Sequence, residues 1–79
     1  MEIVTIDKIV SIINGIMKDN QITTEQVNDD LSGLGMDSIS FIQIIVALEE
    51  TFDCEIPDTK LFLSQLNTVQ KMYEMLDEL

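Results

Sequence analysis

Six residues, Leu34-Gly35-Met36-Asp37-Ser38-Ile39, hold the side chains best placed to do chemistry in this chain of 79 residues. They deliver a small hydroxyl residue to the start of an apolar stretch, between a glycine and a carboxylate. Ser38 Oγ is then accessible to an approaching protein. A phosphate attached there would lie near the positive end of a helix dipole and its free N–H groups. Asp37 acts in the other direction, because its charge repels a phosphodiester. It suits a helix cap, or a contact with a cation or base on a partner. No neighbouring residue can deprotonate Ser38, so chemistry at this hydroxyl is done to the chain rather than by it. Taken alone, the six residues read first as a simple helix cap, with modification of Ser38 as the alternative.

Other constellations are excluded by composition. The chain has no histidine and a single cysteine, so it can form no Ser-His-Asp triad, Cys-His pair or His-bearing zinc site. It has no G-x-x-x-x-G-K-[ST] loop and no G-x-G-x-x-G opening a helix. Residues 29–40 lack the alternating ligands and terminal Glu of a calcium loop. Asp29, Asp30 and Asp37, or Glu49, Glu50 and Asp53, make at most weak, nonspecific cation sites. No catalytic and no metal-ligating residue is assigned. Cys54 cannot form an internal disulfide and reads as a small apolar side chain. Fifteen Asp and Glu stand against four Lys, for a net charge of −11. That charge repels nucleic acid and anionic membranes, and it points to partners with basic patches. The N-terminal residues, with Glu2 and Asp7, have no basic region and no long apolar run. The expectation is a cytoplasmic domain with no leader and no membrane span.

The elements that must position Ser38 follow from periodicity. A chain this short makes one domain, here residues 1–79, and buries only about 60% of its unfolded surface. From about Glu2 to Lys18, Ile3, Ile6, Ile9, Val10, Ile13, Ile16 and Met17 share a helical face, with Asn14 and Gly15 weakening the last turn. Residues 19–37 form a loop long enough to need a purpose, pinned to the core by Val27, Leu31 and Leu34. A second helix runs from Ser38 to about Phe52. Ser40, Gln43, Ala47 and Glu50 should be its exposed stripe, with Met36 and Ile39 facing solvent at its N-terminal end. Ile42, Ile45, Val46 and Leu48, with Phe41, Ile44 and Phe52, cover more arc than one core contact needs. Such a helix is either central or partly offered to a partner. Pro57 then opens a short third helix over Asp58 to Gln65 that buries Leu61 and Phe62. Asn67, with Gln70, caps a last helix whose inward face is Val69, Met72, Tyr73, Leu76 and Leu79. The expected fold is all-α: a four-helix bundle of three longer helices and a short third, with a long loop between the first two.

Gly35-Met36-Asp37-Ser38-Ile39 resembles the G-x-D-S-[LI] attachment motif of the acyl carrier protein family. The likeness continues through Ala47-Leu48-Glu49-Glu50, Phe52-Asp53 and Glu55-Ile56-Pro57-Asp58, and resumes at Thr68-Val69. The resemblance implies a carrier and not an enzyme. It implies 4'-phosphopantetheine from coenzyme A on Ser38, placed there by a phosphopantetheinyl transferase that recognises Asp37. It implies acyl or aminoacyl cargo held as thioesters, and a monomer visited by loading and processing enzymes with basic docking patches. The second helix is the implied docking surface, with Met36, Ile39, Gln43, Ala47 and Glu50 as contacts. Two departures, Gln43 in place of an acidic residue and the apolar stretch 59–67, favour a polyketide or nonribosomal peptide pathway over housekeeping fatty-acid synthesis. A fatty chain could lie between the helices in a core made adaptable by Met17, Met72 and Met75. The rival from another class is an unmodified acidic module that captures a basic partner.

Overall fold

The computed structural model describes residues 3–79. Glu2, where the sequence pattern opens the first helix, lies outside the described residues. Within them the chain forms three α-helices: α1 (Ile6–Ile16), α2 (Ser38–Phe52) and α3 (Val69–Glu78), with no strand. Helix α1 starts at Ile6 because Thr5 is extended and its hydroxyl accepts from Lys8 N at 3.2 Å, closing the first turn. Ile9, Val10 and Ile13 face the core, and Met17 follows them inward. Helix α1 packs against both α2 and α3.

Asn14 does more than weaken the end of α1. Its amide donates to Ile22 O at 2.9 Å and accepts from Ile22 N at 2.8 Å, clamping the following loop onto the helix. Gln21 Nε2 donates to the carbonyls of Asn14 and Met17, two of the acceptors that a helix end leaves open. The loop itself is ordered by two 3-10 turns, Thr24–Gln26 and Leu31–Leu34. Leu31 is fully buried, and Val27 and Leu34 are half-buried against the core, as their spacing predicts. The backbone joins in. Leu31 N donates to Asn67 O at 2.7 Å, and Gln70 N, an orphan donor in the first turn of α3, reaches Val27 O at 2.9 Å.

Several expectations about the second half are corrected. The short third helix does not form. Asp58–Lys60 and Leu63–Gln65 are single 3-10 turns, with Phe62 extended between them. Leu61, Phe62 and Leu63 are consecutive, and a helix would spread them over three directions. With Phe62 extended, Leu61 and Leu63 both pack inward, half-buried, while Phe62 is 52% exposed instead of buried. Among the described residues the fold is therefore three α-helices, with a strap of two 3-10 turns over residues 57–66 where a fourth helix was expected. Leu66 does reach the core. The cap of α3 is Thr68, whose hydroxyl accepts from Lys71 N at 3.1 Å, and not Asn67. Asn67 is occupied otherwise: its carbonyl takes Leu31 N, and its side chain takes Lys71 Nζ. Along α3, Val69, Met72 and Leu76 are buried and Tyr73 half-buried. Met75 is also buried, whereas Leu79 is half-exposed.

Replacing Asn14 by Ala removes both bonds to Ile22 and leaves a partly buried N–H and C=O without their partner. Urea denaturation should show a loss of about 1–3 kcal/mol. An unchanged midpoint would mean that water replaces the clamp at no cost.

Candidate functional site

Ser38 owes its position to a backbone reversal just before it. Gly35 closes the Leu31–Leu34 turn at φ 107, in left-handed territory. A β-carbon at this residue would stand 2.7 Å from the Asn20 side chain. Gly35 N and Met36 N return to Ser32 O and Leu31 O, at 3.4 and 3.0 Å. This turn sends Met36 inward, to 4% exposure. Met36 is therefore corrected from a docking contact to a core anchor. It precedes the helix, so helical spacing from Ile39 does not govern where it points.

Asp37 is extended, at φ −105, and its Oδ1 accepts from Ser40 N at 2.7 Å. It is the N-cap of α2, as expected. That backbone N–H, helped by the Ser40 hydroxyl, holds the exposed carboxyl below the usual aspartate range. Asp37 is thus a weakened base as well as an occupied one. Ser38 is the first residue of α2 and is exposed. Its surroundings fit a phosphate-linked arm: an accessible hydroxyl, a helix N-terminus and an open path along α2.

That path is a groove of about 440 Å³. Phe41, Ile42, Ile45 and Val46 form its α2 wall, and Leu61 and Leu63 of the strap form the other. Ser38 lines one end and Glu49 the other, separated by about 16 Å along the helix axis. Met17, Met72 and Met75 are buried in the core between the helices, where they were expected, and do not line this groove. A second groove, lined by Lys60 and Lys71 with Glu74 and Glu78, carries mixed charge and does not include Ser38.

The exposed face of α2 is rotated from the expected polar stripe. Ile39, Ile42, Gln43, Val46 and Glu50 are exposed, while Ser40 and Ala47 are half-buried. Ile39, Gln43 and Glu50 therefore stand where a partner can meet them, and Ala47 only partly does. Ile42 and Val46, at 61% and 46% exposure, were missed as surface residues. The signal was present, since 39, 42, 43, 46 and 50 follow helical spacing, but a search for a polar stripe overlooks a mainly apolar one. The neighbours Glu49 and Glu50 also separate. Glu49 is half-buried and its Oε2 accepts from Ile56 N at 2.9 Å, while Glu50 is exposed. Asp53, left-handed at φ 51, ends the helix, and Cys54 N returns to Glu49 O at 3.1 Å. Burial, with Glu49 and Asp53 nearby, pushes the Cys54 thiol up, away from reactivity.

The family profile described as "Phosphopantetheine attachment site" matches residues 7–76. An acyl carrier protein of Syntrophobacter fumaroxidans is 40% identical over 72 residues, which cover 87% of this chain and 83% of that protein. An acyl carrier protein of Buchnera aphidicola subsp. Schizaphis graminum is 38% identical over 72 residues, covering 91% and 85%.

Two substitutions check the geometry. Gly35→Ala should destabilise by about 1–3 kcal/mol in a denaturant titration, from left-handed strain and the Asn20 contact. Gly33→Ala, with open space around it, should stay within about 0.5 kcal/mol of the parent. Asp37 sets a pH dependence. Its folded value lies below the unfolded one, about 3.9, so the cap's stabilisation is complete above that value and drains away as pH falls through the folded value. The difference in melting temperature between wild type and Asp37→Ala should be largest near neutrality and shrink below pH of about 4. A difference independent of pH would assign the effect to something other than the ionised cap.

Proposed function

We propose that this chain, which belongs to the acyl carrier protein family, bears its covalent 4'-phosphopantetheine on Ser38 and delivers acyl or aminoacyl thioesters to partner enzymes. It is a carrier and not an enzyme. The observation that carries the assignment to Ser38 is its place: exposed, at the first position of α2, and lining the end of an apolar groove. A phosphopantetheinyl transferase has to supply the base that takes the Ser38 proton. Asp37 is poorly suited to that task, since its carboxylate accepts from Ser40 N and its pKa is lowered by that bond. The arm, once attached, supplies the thiol on which cargo is held. The residues of this chain then fix the attachment point, orient it at the helix end and offer the groove as apolar shelter.

The pathway we favour is a dedicated polyketide or nonribosomal peptide one. Gln43 stands exposed in the middle of α2, and Glu50 is the single carboxylate on the exposed face of that helix. Partner contact by Ile39, Gln43 and Glu50, with Ala47 at the margin, therefore relies less on charge than the composition suggests. The apolar groove along α2 supports the second reading, housekeeping fatty-acid synthesis, because it would shelter an aliphatic chain. In either case one carrier domain over residues 1–79 acts as a cytoplasmic monomer, with like charge keeping copies apart.

Intact mass before and after incubation with coenzyme A and a broad-specificity phosphopantetheinyl transferase tests the assignment. Wild type should gain one arm and Ser38→Ala none, while both keep the same melting temperature. A gain on Ser38→Ala would place the arm elsewhere. No gain on wild type that arrives unmodified would favour the unmodified acidic module.

A further inference from the structure

Asn14 is followed by Gly15, and no other asparagine of the chain precedes a glycine: Asn20, Asn28 and Asn67 precede Gln21, Asp29 and Thr68. Glycine has no β-carbon to shield its backbone nitrogen. At Asn14 alone, therefore, that nitrogen can approach the side-chain amide carbon freely once the chain is unfolded. The pair then closes into a five-membered ring. The Gly15 nitrogen gives its proton to hydroxide and bonds to Asn14 Cγ. The Cγ–Nδ2 bond breaks, and Nδ2 leaves as ammonia after taking a proton from water. Water opens the ring at either of its two C–N bonds, leaving an aspartyl residue or an isoaspartyl one. Nothing is oxidised or reduced.

In the folded chain both reacting groups are engaged. Gly15 lies within α1, where its N–H belongs to the helical ladder. Asn14 is half-buried, and its Oδ1 and Nδ2 are both bonded to Ile22, at 2.8 and 2.9 Å. Gln21 Nε2 closes over the same place, 2.9 Å from Asn14 O. The reaction must wait until the last turn of α1 opens and Ile22 is released. That turn has little support of its own. Gly15 is exposed, with open space where a β-carbon would stand, and glycine is a poor helix former.

We propose that Asn14-Gly15 is a latent deamidation site, held unreactive by the clamp between Asn14 and Ile22, and that its conversion releases the loop over residues 19–37 irreversibly. A carboxylate at this position still accepts from Ile22 N. It has no hydrogen to give Ile22 O, and it sets a negative charge against that carbonyl. An isoaspartyl residue lengthens the main chain inside the helix and interrupts its ladder. Neither product can rebuild the clamp. None of this depends on what Ser38 carries.

Wild type and Gly15→Ala are kept in mildly alkaline buffer with and without denaturing urea, and each asparagine is followed by peptide mass spectrometry. In urea, Asn14 should convert at least about tenfold faster than Asn20, Asn28 or Asn67, and Gly15→Ala should remove that excess. Without urea, conversion of Asn14 in wild type should be at least about tenfold slower. Asn14→Asp should melt at least about 4 °C below wild type. Its loop amides, Met36 N–H among them, should exchange with solvent at least about tenfold faster. Gly15→Ala should melt no lower than wild type. Equal rates at Asn14 in the two solutions would overturn the protection by the clamp. Asn14→Asp with wild-type melting and loop exchange would overturn the release of the loop. Should Asn14→Asp not fold, wild type converted in urea and returned to buffer is set against Gly15→Ala treated alike, and equal melting and exchange then overturn the release.

Discussion

Leu31 holds the two halves of the molecule in register. Its side chain is fully buried. Its N–H donates to the carbonyl just before α3, and its own carbonyl receives Met36 N. One residue thus ties the long loop to α3 on one side and to the approach to Ser38 on the other. A loop of this length pays a substantial conformational cost to be ordered, and a few buried apolar anchors plus satisfied backbone groups offset it. Asn14, Gln21, the Thr23–Gln26 capping box and Gly35 make the same arrangement on either side of Leu31. Placement of Ser38 is the result: a mobile loop would leave the start of α2 frayed and its hydroxyl without a defined setting.

Charge is distributed unevenly over this acidic chain, and the distribution matters more than the total. Asp37 is spent on the first turn of α2, and Glu49 on the backbone that follows its last turn. Both carboxylates accept backbone N–H groups that a helix end or a sharp turn would otherwise expose. Glu50, one residue from Glu49, faces solvent. Between those ends the accessible surface of α2 is mainly Ile39, Ile42, Gln43 and Val46. A carrier has to be bound and released many times, and a small apolar contact bordered by isolated charges suits brief, selective encounters.

The strap shows how local preference and tertiary demand diverge. Pro57 and the turn-forming Asp58 do begin a helical turn, but it lasts only to Lys60. Continuing as a helix would bury one of Leu61, Phe62 and Leu63 at the expense of the others. Breaking it puts Leu61 and Leu63 on the groove and leaves Phe62 outside. The second wall of the groove exists because that helix fails.

Much of the fold, and the placement of the candidate residue Ser38, were legible in the residues themselves. Periodicity marked the three helices, because burial of one face is a local property of spacing. Asp37 as cap and Ser38 at the start of α2 followed from residue type and from resemblance. Three features were set by the turn that precedes α2 or by distant partners, and were not legible. Met36 faces inward because a left-handed turn at Gly35 precedes it, not because of helical phase. Ile42 and Val46 stay exposed because α1 packs against another side of α2, and apolar side chains alone do not say which side is covered. Thr68 caps α3 in place of Asn67 because the Asn67 carbonyl is claimed by Leu31, far away in sequence. Sequence determines which elements can form and which chemistry they can carry; only packing decides which face of each is left for a partner, because exposure depends on what the rest of the chain has already covered.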